Sequence, residues 1–288
     1  MEFRDWHDGD DLRLLELFSD PHNAQHHHDR AMLGPATQKP FGVGLVAVDD
    51  EIPVAAGALR AQAIHPQRMW CYIETAPLQR QRGIATALLN QLLERAPENI
   101  ELKTRSASTD LTTANWLTNQ GFSPIQHTQR VIVASKSFES KDFEVQQLAT
   151  GSVELSKVVA EYYNATHDWD PSHLTLTQAQ QLLLAPQTGA QQAFITREDT
   201  GITAFAIAYP GPVPNVVDLF IGHDPNHPDP TDHIRALLST AGEERSLAIE
   251  IDNSTTVLNS LIETAVESDT AIVEHESTIW ATDVPPHA

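Results

Sequence analysis

Gln79-Arg-Gln-Arg-Gly-Ile-Ala-Thr-Ala-Leu88 decides how this 288-residue chain is read. The stretch follows a β-like run, Met69-Trp-Cys-Tyr-Ile-Glu-Thr75, and opens an amphipathic helix ending near Arg95. A strand that passes through a basic, glycine-containing turn into a helix N-terminus is built to hold an anion. Gly83 and Ala85 keep bulky side chains out of the turn, so successive backbone N–H groups can converge on a ligand. The orphan amides of the first helical turn and the helix dipole add positive potential. Arg80 and Arg82 add formal charge. The order is not the Gly-x-x-x-x-Gly-Lys-Ser/Thr of a P-loop, and no Lys lies between Ala76 and Leu102; nor is it the Gly-x-Gly-x-x-Gly of a dinucleotide turn. The pattern is Arg-x-x-Gly-x-Ala, Arg80 to Ala85, which taken alone also fits a basic surface turn capping an ordinary helix.

The flanks narrow the choice. Upstream, Thr75-Ala-Pro77 ends the strand where the chain must leave a sheet. Downstream, Asn99 to Thr104 reads as a strand and Asp110 to Gln120 as a helix; Gly121-Phe122 and a further strand, Thr128 to Ala134, follow. With Thr75-x-Pro77, Arg80-x-x-Gly83-x-Ala85 and the Gln120-Gly121-Phe122 helix end at this mutual spacing, residues 1–136 resemble the GNAT superfamily of acetyl-CoA-dependent N-acetyltransferases. The resemblance implies an α/β (α+β) fold, a mixed, mostly antiparallel sheet flanked by helices. It implies that the turn Arg80, Gln81, Arg82, Gly83, Ile84, Ala85 and Thr86 holds the CoA pyrophosphate, mainly through its amides. It also implies that the preceding strand splays from its neighbour, and that backbone N–H near Thr75 polarises the thioester carbonyl as an oxyanion hole would.

Composition sets outer limits. No run of about 18 apolar residues exists, and Met1-Glu-Phe-Arg-Asp is too polar for a signal peptide. A single cysteine, Cys71, excludes an internal disulfide and a cysteine-based zinc site. The expectation is a cytoplasmic protein without membrane or metal. The net charge of −21 argues against nucleic acid. Residues 1–142 hold 14 Lys/Arg against 18 Asp/Glu, and residues 143–288 hold 4 against 21. An anionic ligand therefore belongs with the first half.

The second half repeats the element order of the first. Phe143 to Leu148 reads as an opening strand, Val153 to Asn164 and Thr177 to Leu184 as helices. Ala193 to Thr196 and Thr203 to Tyr209 read as a hairpin around Asp199-Thr-Gly201, and Val216 to Ile221 matches the 69–75 strand. Ile234 to Ala241, Leu247 to Ile251, Val257 to Val266 and Ala271 to Trp280 supply helix, strand, helix, strand. Two tandem GNAT-like domains are expected, 1–136 catalytic and 143–288 degenerate, joined near Ser135 to Lys141 as a pseudo-dimer within one chain, compatible with a monomer. The second cradle segment, Asn226-His-Pro-Asp-Pro-Thr-Asp-His233, has no Gly or Arg. Pro228 and Pro230 remove two donors, and Asp229 and Asp232 would repel phosphate. Mycothiol synthase and its relatives share the two-unit layout, with the C-terminal copy active; here the intact cradle is N-terminal.

Amine acetylation by direct attack needs a neutral amine, a polarised thioester and a proton source. Glu74, two residues after Tyr72 and so on the same strand face, is the candidate base, or a carboxylate that binds a cationic acceptor. Many members of the superfamily place a Tyr four residues before the Gly-Phe pair; that position is Leu117, so Tyr72 becomes the candidate acid. Cys71 could be a covalent nucleophile or a buried small hydrophobe. His22, His26, His27, His28 and Asp29 lie in the connection that borders the acceptor site in this fold; His26 and His28 are the expected acceptor contacts, or surface groups. Trp169, in the equivalent connection of the second copy, is a third. Asp110 and Asn115 could touch the CoA arm, or serve as an N-cap and an exposed polar site. The expected activity is transfer of an acetyl group from acetyl-CoA to a small-molecule amine, with a non-catalytic acyl-CoA sensor as the alternative.

Overall fold

Two consecutive runs with hardly a polar residue, Phe41–Asp49 and Ile52–Arg60, form the central hairpin of the first unit in the computed structural model. Both are buried along nearly their whole length, as strands covered on both faces must be. Asp50 and Glu51 close the hairpin with φ of 48° and 68°, the left-handed pair that a two-residue loop requires. The structure describes residues 1–139, 143–199, 201–211 and 213–282. Thr200, part of the expected linker (140–141) and the end of the expected second domain (283–288) lie outside the described residues. No helix among the described residues is long and apolar enough to cross a membrane.

The chain runs β1 (Glu2–Asp5), α1 (Asp10–Leu17), α2 (Ala24–Arg30), β2 (Thr37–Gln38), β3 (Phe41–Asp49), β4 (Ile52–Arg60), β5 (Arg68–Thr75), α3 (Ile84–Leu93), β6 (Glu101–Ala107), α4 (Leu111–Asn119) and β7 (Phe122–Val133). It continues through β8 (Gln146–Leu148), α5 (Val153–Thr166), α6 (Leu176–Ala179), β9 (Gln192–Glu198), β10 (Gly201–Pro210), β11 (Val216–His223), α7 (Thr231–Ala241), β12 (Ser246–Asp252), α8 (Thr256–Glu267) and β13 (Ala271–Thr282). Each of the two units is a mixed α/β structure in which a sheet is flanked by helices.

Among the described residues, the first unit comprises 1–125 and 278–282. Its sheet has the order β1-β3-β4-β5-β6 followed by the end of β13; β1, β3, β4 and β5 pair antiparallel, and β5 and β6 run parallel. Ile84, Leu88 and Leu92, spaced by four along α3, bury one helical stripe against Val43, Leu45, Leu59, Met69, Cys71 and Leu102. Leu14 and Phe18 cover the opposite face over Val46, Val48 and Ala56. Trp280 joins the first of these cores and donates to Ser106 Oγ at 3.0 Å, while Thr282 Oγ1 accepts from Leu102 N at 2.9 Å. The last described strand of the chain thus completes the sheet of the first unit. A glycine matters here: a Cβ on Gly44 would lie 1.8 Å from Gly34 O. That close approach lets the segment after α2 lie on β3, where Arg60 caps the carbonyls of Met32, Gly34 and Pro35 at 2.8, 2.9 and 3.0 Å.

The second unit comprises residues 126–277. Residues 126–133 of β7 belong to it, pairing antiparallel with β12 from Thr128↔Asp252 to Val133↔Leu247. β12 runs parallel to β11, and β11-β10-β9-β8 continue antiparallel. The compact units divide at 125/126, whereas the sequence expectation ends the first domain at 136. Val131 and Val133 pack in the same core as Ile249, Ile251 and Leu261, and the strand follows its apolar face.

Candidate active site

β5 pairs with β6 over three positions, Arg68↔Glu101 to Trp70↔Lys103, yet it continues to Thr75 and β6 to Ala107. Beyond Trp70 the two strands share no register. On its other edge β5 stays paired with β4 through Ala55↔Thr75, and Ala76 N donates to Val54 O at 2.9 Å. Antiparallel ladders alternate their hydrogen-bonding direction. The backbone groups of Ile73 and Thr75 therefore face the opened edge. Arg80 Nε reaches back to Thr75 O at 3.3 Å.

The chain leaves β5 through a short 3-10 turn, Pro77–Gln79, and enters α3 at Gly83. Gln81 and Gly83 have φ of 61° and 76°, and a Cβ on Gly83 would meet nothing within 4 Å. Gly83 is required by its backbone angle, and the space beside it is open. The first bond of the helix is Ala87 N→Gly83 O at 3.0 Å, with no side chain capping the end. The amides of Ile84, Ala85 and Thr86 thus precede the hydrogen-bonded ladder. Ile84 anchors the turn in the core at 4% exposure. Arg82 is paired with Asp49 Oδ2 at 3.3 Å and with Gln79. Thr86 Oγ1 accepts from Trp116 Nε1 at 3.0 Å, so α4 supports the cradle through Trp116. Asn115 is exposed on the same helix. Asp110 is the N-cap of α4; its two oxygens accept from Thr113 N and Thr113 Oγ1 at 3.0 and 2.6 Å.

Trp70, Tyr72 and Glu74 share the face of β5 turned towards α2. Glu74 is buried, and its carboxylate gathers three donors: Arg30 Nε at 2.8 Å, Arg30 Nη2 at 2.6 Å and Tyr72 Oη at 2.7 Å. His26 Nε2 stands 3.7 Å from the same carboxylate. Burial first, and then the neighbouring Glu74 charge, push the Tyr72 phenol far above its usual range. Burial pulls the Arg30 guanidinium down, but hydrogen bonding and charge pairing with Glu74 outweigh it, so the net shift is upward. Burial lowers His26, and the Arg30 charge pushes it the same way against the pull of Glu74. His26 Nδ1 accepts from His22 N at 3.2 Å, which places the ring proton on Nε2, facing Glu74. Behind this group, Arg105 stacks over Trp70 at 5.4 Å and approaches Asp29 at 3.8 Å.

The residues expected from sequence are thus sorted. Glu74, Tyr72 and His26 meet in one cluster. His28 does not join it: α2 begins at Ala24, so His28 stands about 200° around the helix from His26 and is exposed. Trp169 lies in the second unit beside His167, whose ring stacks on Tyr163 at 3.9 Å. Cys71 is buried in the core, and burial pushes its thiol up to about 12, which removes it as a nucleophile. Leu117 is a core residue at 2% exposure. Arg30 and Trp116 were missed. Arg30, four residues after His26 in the segment flagged as bordering the acceptor, carried a readable helical spacing; nothing in the sequence marked Trp116 as a partner of Thr86.

The second unit has the same strand parting but a different turn. β11 and β12 pair from Val216↔Ser246 to Leu219↔Ile249, while β11 continues to His223. In the loop that follows, Asp224 accepts Asn226 N on Oδ1 at 2.9 Å and His227 N on its carbonyl at 3.0 Å; Asp229 Oδ1 accepts Thr231 N at 3.2 Å. The first amide of α7, Thr231 N, is thus bonded within the loop, whereas its counterpart Ile84 N in the first unit stands ahead of the ladder.

The family model described as "Acetyltransferase (GNAT) family" matches residues 6–122. Among solved structures, a GCN5-related N-acetyltransferase from Sphaerobacter thermophilus is similar at 12% identity and a TM-score of 0.68, over 99% of this chain and 95% of that one. A tandem GNAT protein from the clavulanic acid biosynthesis pathway is similar at 13% identity and a TM-score of 0.62, over 100% and 99%. A putative acetyltransferase from Pyrococcus horikoshii is similar at 14% identity and a TM-score of 0.58, over 97% and 88%. No curated protein gives a significant match. At these identities the structures speak for the fold, and the family match speaks for the segment that holds the cradle. The chain has the fold of tandem GNAT proteins, and its residues 6–122 belong to the GNAT family of acetyltransferases.

Proposed function

We propose that the first unit is an acetyl-CoA-dependent N-acyltransferase that acetylates the amine of a small molecule by direct attack, and that the second unit is a scaffold without a working cradle. The observation that carries this reading is the pairing of β5 and β6 that stops at Trp70 and Lys103, next to a helix end whose first amides lie ahead of the ladder. In this reading the amides of Arg82 to Thr86 hold the pyrophosphate of the co-substrate, with Arg80, Gln81 and Arg82 around them. The opened edge of β5 receives the pantetheine arm, and the Thr75 amide polarises the thioester carbonyl. Trp116 orients Thr86. Asp110 is engaged as a cap and Asn115 is exposed; both remain rim positions.

Glu74, Tyr72, Arg30 and His26 face the acceptor. With three donors already on the Glu74 carboxylate, the base role requires the incoming amine to displace one of them or to work through water. Tyr72, held protonated by burial and by Glu74, positions that carboxylate. Supporting charge is local: the acidic second half leaves the anion-binding role to the first. A cytoplasmic setting belongs to the same proposal.

The test is release of free thiol from acetyl-CoA with a panel of small amines. Amine-dependent release that falls at least about tenfold in kcat for Glu74→Gln supports the reading. One observation favours a second reading, a non-catalytic acyl-CoA sensor: Leu117 is sealed in the core and the Tyr72 hydroxyl is turned to Glu74. Tight acetyl-CoA binding with no turnover on any amine would select that reading.

A further inference from the structure

The second unit gathers three metal-ligating side chains where its own cradle has lost the means to hold phosphate. Glu198 ends β9, His227 lies in the loop before α7, and His233 is on the first turn of that helix. His233 Nε2 is 3.2 Å and His227 Nε2 is 3.5 Å from the same oxygen, Glu198 Oε1, and all three ligand atoms lie within 4.8 Å of one another. A tetrahedral zinc ion with bonds of about 2.0–2.2 Å spaces its ligand atoms by about 3.3–3.6 Å. Both nitrogen–oxygen separations are close to that edge.

The surroundings fix the rings. His233 is buried at 3% exposure and His227 at 16%. Phe143 packs on the His233 ring at 4.2 Å, and the two imidazoles stand edge to face at 5.4 Å. Pro228 and Pro230 stiffen the loop that carries His227. The Nδ1 atoms of both rings are buried without a hydrogen-bond partner among the described residues. Each ring therefore presents Nε2 as its polar end, and both ends converge on one carboxylate. One carboxylate oxygen can accept from both rings, and a cation between the three ligand atoms would use the same convergence. Glu198 is half exposed, which leaves a position towards solvent.

We propose that Glu198, His227 and His233 form a binding site for a divalent first-row transition cation, zinc foremost, in the second unit. Two imidazole nitrogens and one carboxylate suit that class. Ligation through Nε2 uses the neutral imidazole with its proton on Nδ1, and nothing is oxidised. The cation ties the end of β9 to the start of α7. Since no acceptor among the described residues waits for the Nδ1 protons, affinity is expected about 10–100-fold below that of a site with such partners.

The test uses the full chain carrying His27→Asn and His28→Asn, which removes the exposed histidine run of the first unit as a competing chelator. After dialysis against a chelator, zinc is titrated by calorimetry and cobalt by its visible absorption. One equivalent per chain, with tetrahedral-type cobalt bands and a raised melting temperature, is expected. His227→Ala and the half-exposed Glu198→Gln should each weaken binding at least about tenfold, with circular dichroism unchanged. No saturable binding at millimolar zinc would overturn the proposal. So would binding undiminished in the Glu198→Gln, His227→Ala double variant.

Discussion

Replacing Arg30 by Met would test whether α2 is held to β5 by charge. Arg30 and Glu74 are 10% and 9% exposed as side chains, and two charge-assisted bonds of 2.8 and 2.6 Å join them. Arg30→Met removes both, along with the donor to Ser19 O at 2.6 Å, and leaves a buried carboxylate with Tyr72 and His26 alone. Breaking one side of a buried pair costs about 3–5 kcal/mol. For a unit of this size that corresponds to a melting temperature lower by about 6–20 °C. Exchanging both partners for apolar groups leaves no uncompensated charge, so Arg30→Met, Glu74→Leu should melt well above Arg30→Met alone. Differential scanning calorimetry on the parent, both single variants and the double variant closes the cycle. The reasoning is refuted if Arg30→Met costs less than about 1 kcal/mol, or if the double variant loses the sum of the two single losses.

Three further outcomes follow from the same geometry. Trp116→Phe removes the bond to Thr86 Oγ1 while keeping an aromatic ring; a loss of about 0.5–1.5 kcal/mol should weaken acetyl-CoA binding by about two- to tenfold in calorimetry, and unchanged affinity would detach Trp116 from the cradle. Burial holds His26 and His223 below the ordinary value of 6.5, so the unfolded chain binds more protons as pH drops below 6.5 and stability falls there. Urea unfolding from pH 7.5 downward should show that loss, and His26→Asn with His223→Asn should flatten it; an unaltered slope would mean other groups cause it. Leu88→Ala, at a site with 0% exposure under the cradle helix, should cost about 2–5 kcal/mol in the same unfolding experiment, and a loss under 1 kcal/mol would contradict the packing of α3 on β4 and β5.

What the sequence discloses and what it hides divide by distance along the chain. The strand, turn and helix from Met69 to Leu93 were legible because their signals are local: an alternating strand, a left-handed Gly83, and apolar residues every fourth position. The pairing of Arg30 with Glu74 was not, since the two are 44 residues apart and neither residue specifies its partner. The ends of the sheets were hidden for another reason. Both halves finish on a strand of the same character, so either strand fits either sheet in outline. Pairing decided otherwise, with Val131 and Val133 on β12 and Trp280 on Ser106. The histidine run shows how one boundary sets neighbours: because the helix starts at Ala24, His26 stands beside Glu74 and His28 is exposed. Glu198 lies 35 residues before His233, and no spacing rule joins a strand end to a distant helix start.

The claim on which the rest turns is that main-chain amides at the start of α3 grip a diphosphate. Isothermal titration of the full chain with acetyl-CoA, beside Gly83→Glu, measures it. The account predicts one saturable site for the parent and a loss of at least about a hundredfold for the variant, because a side chain at φ 76° is strained and its carboxylate repels phosphate. Absence of saturable binding by the parent, or equal affinity of the two proteins, would contradict it.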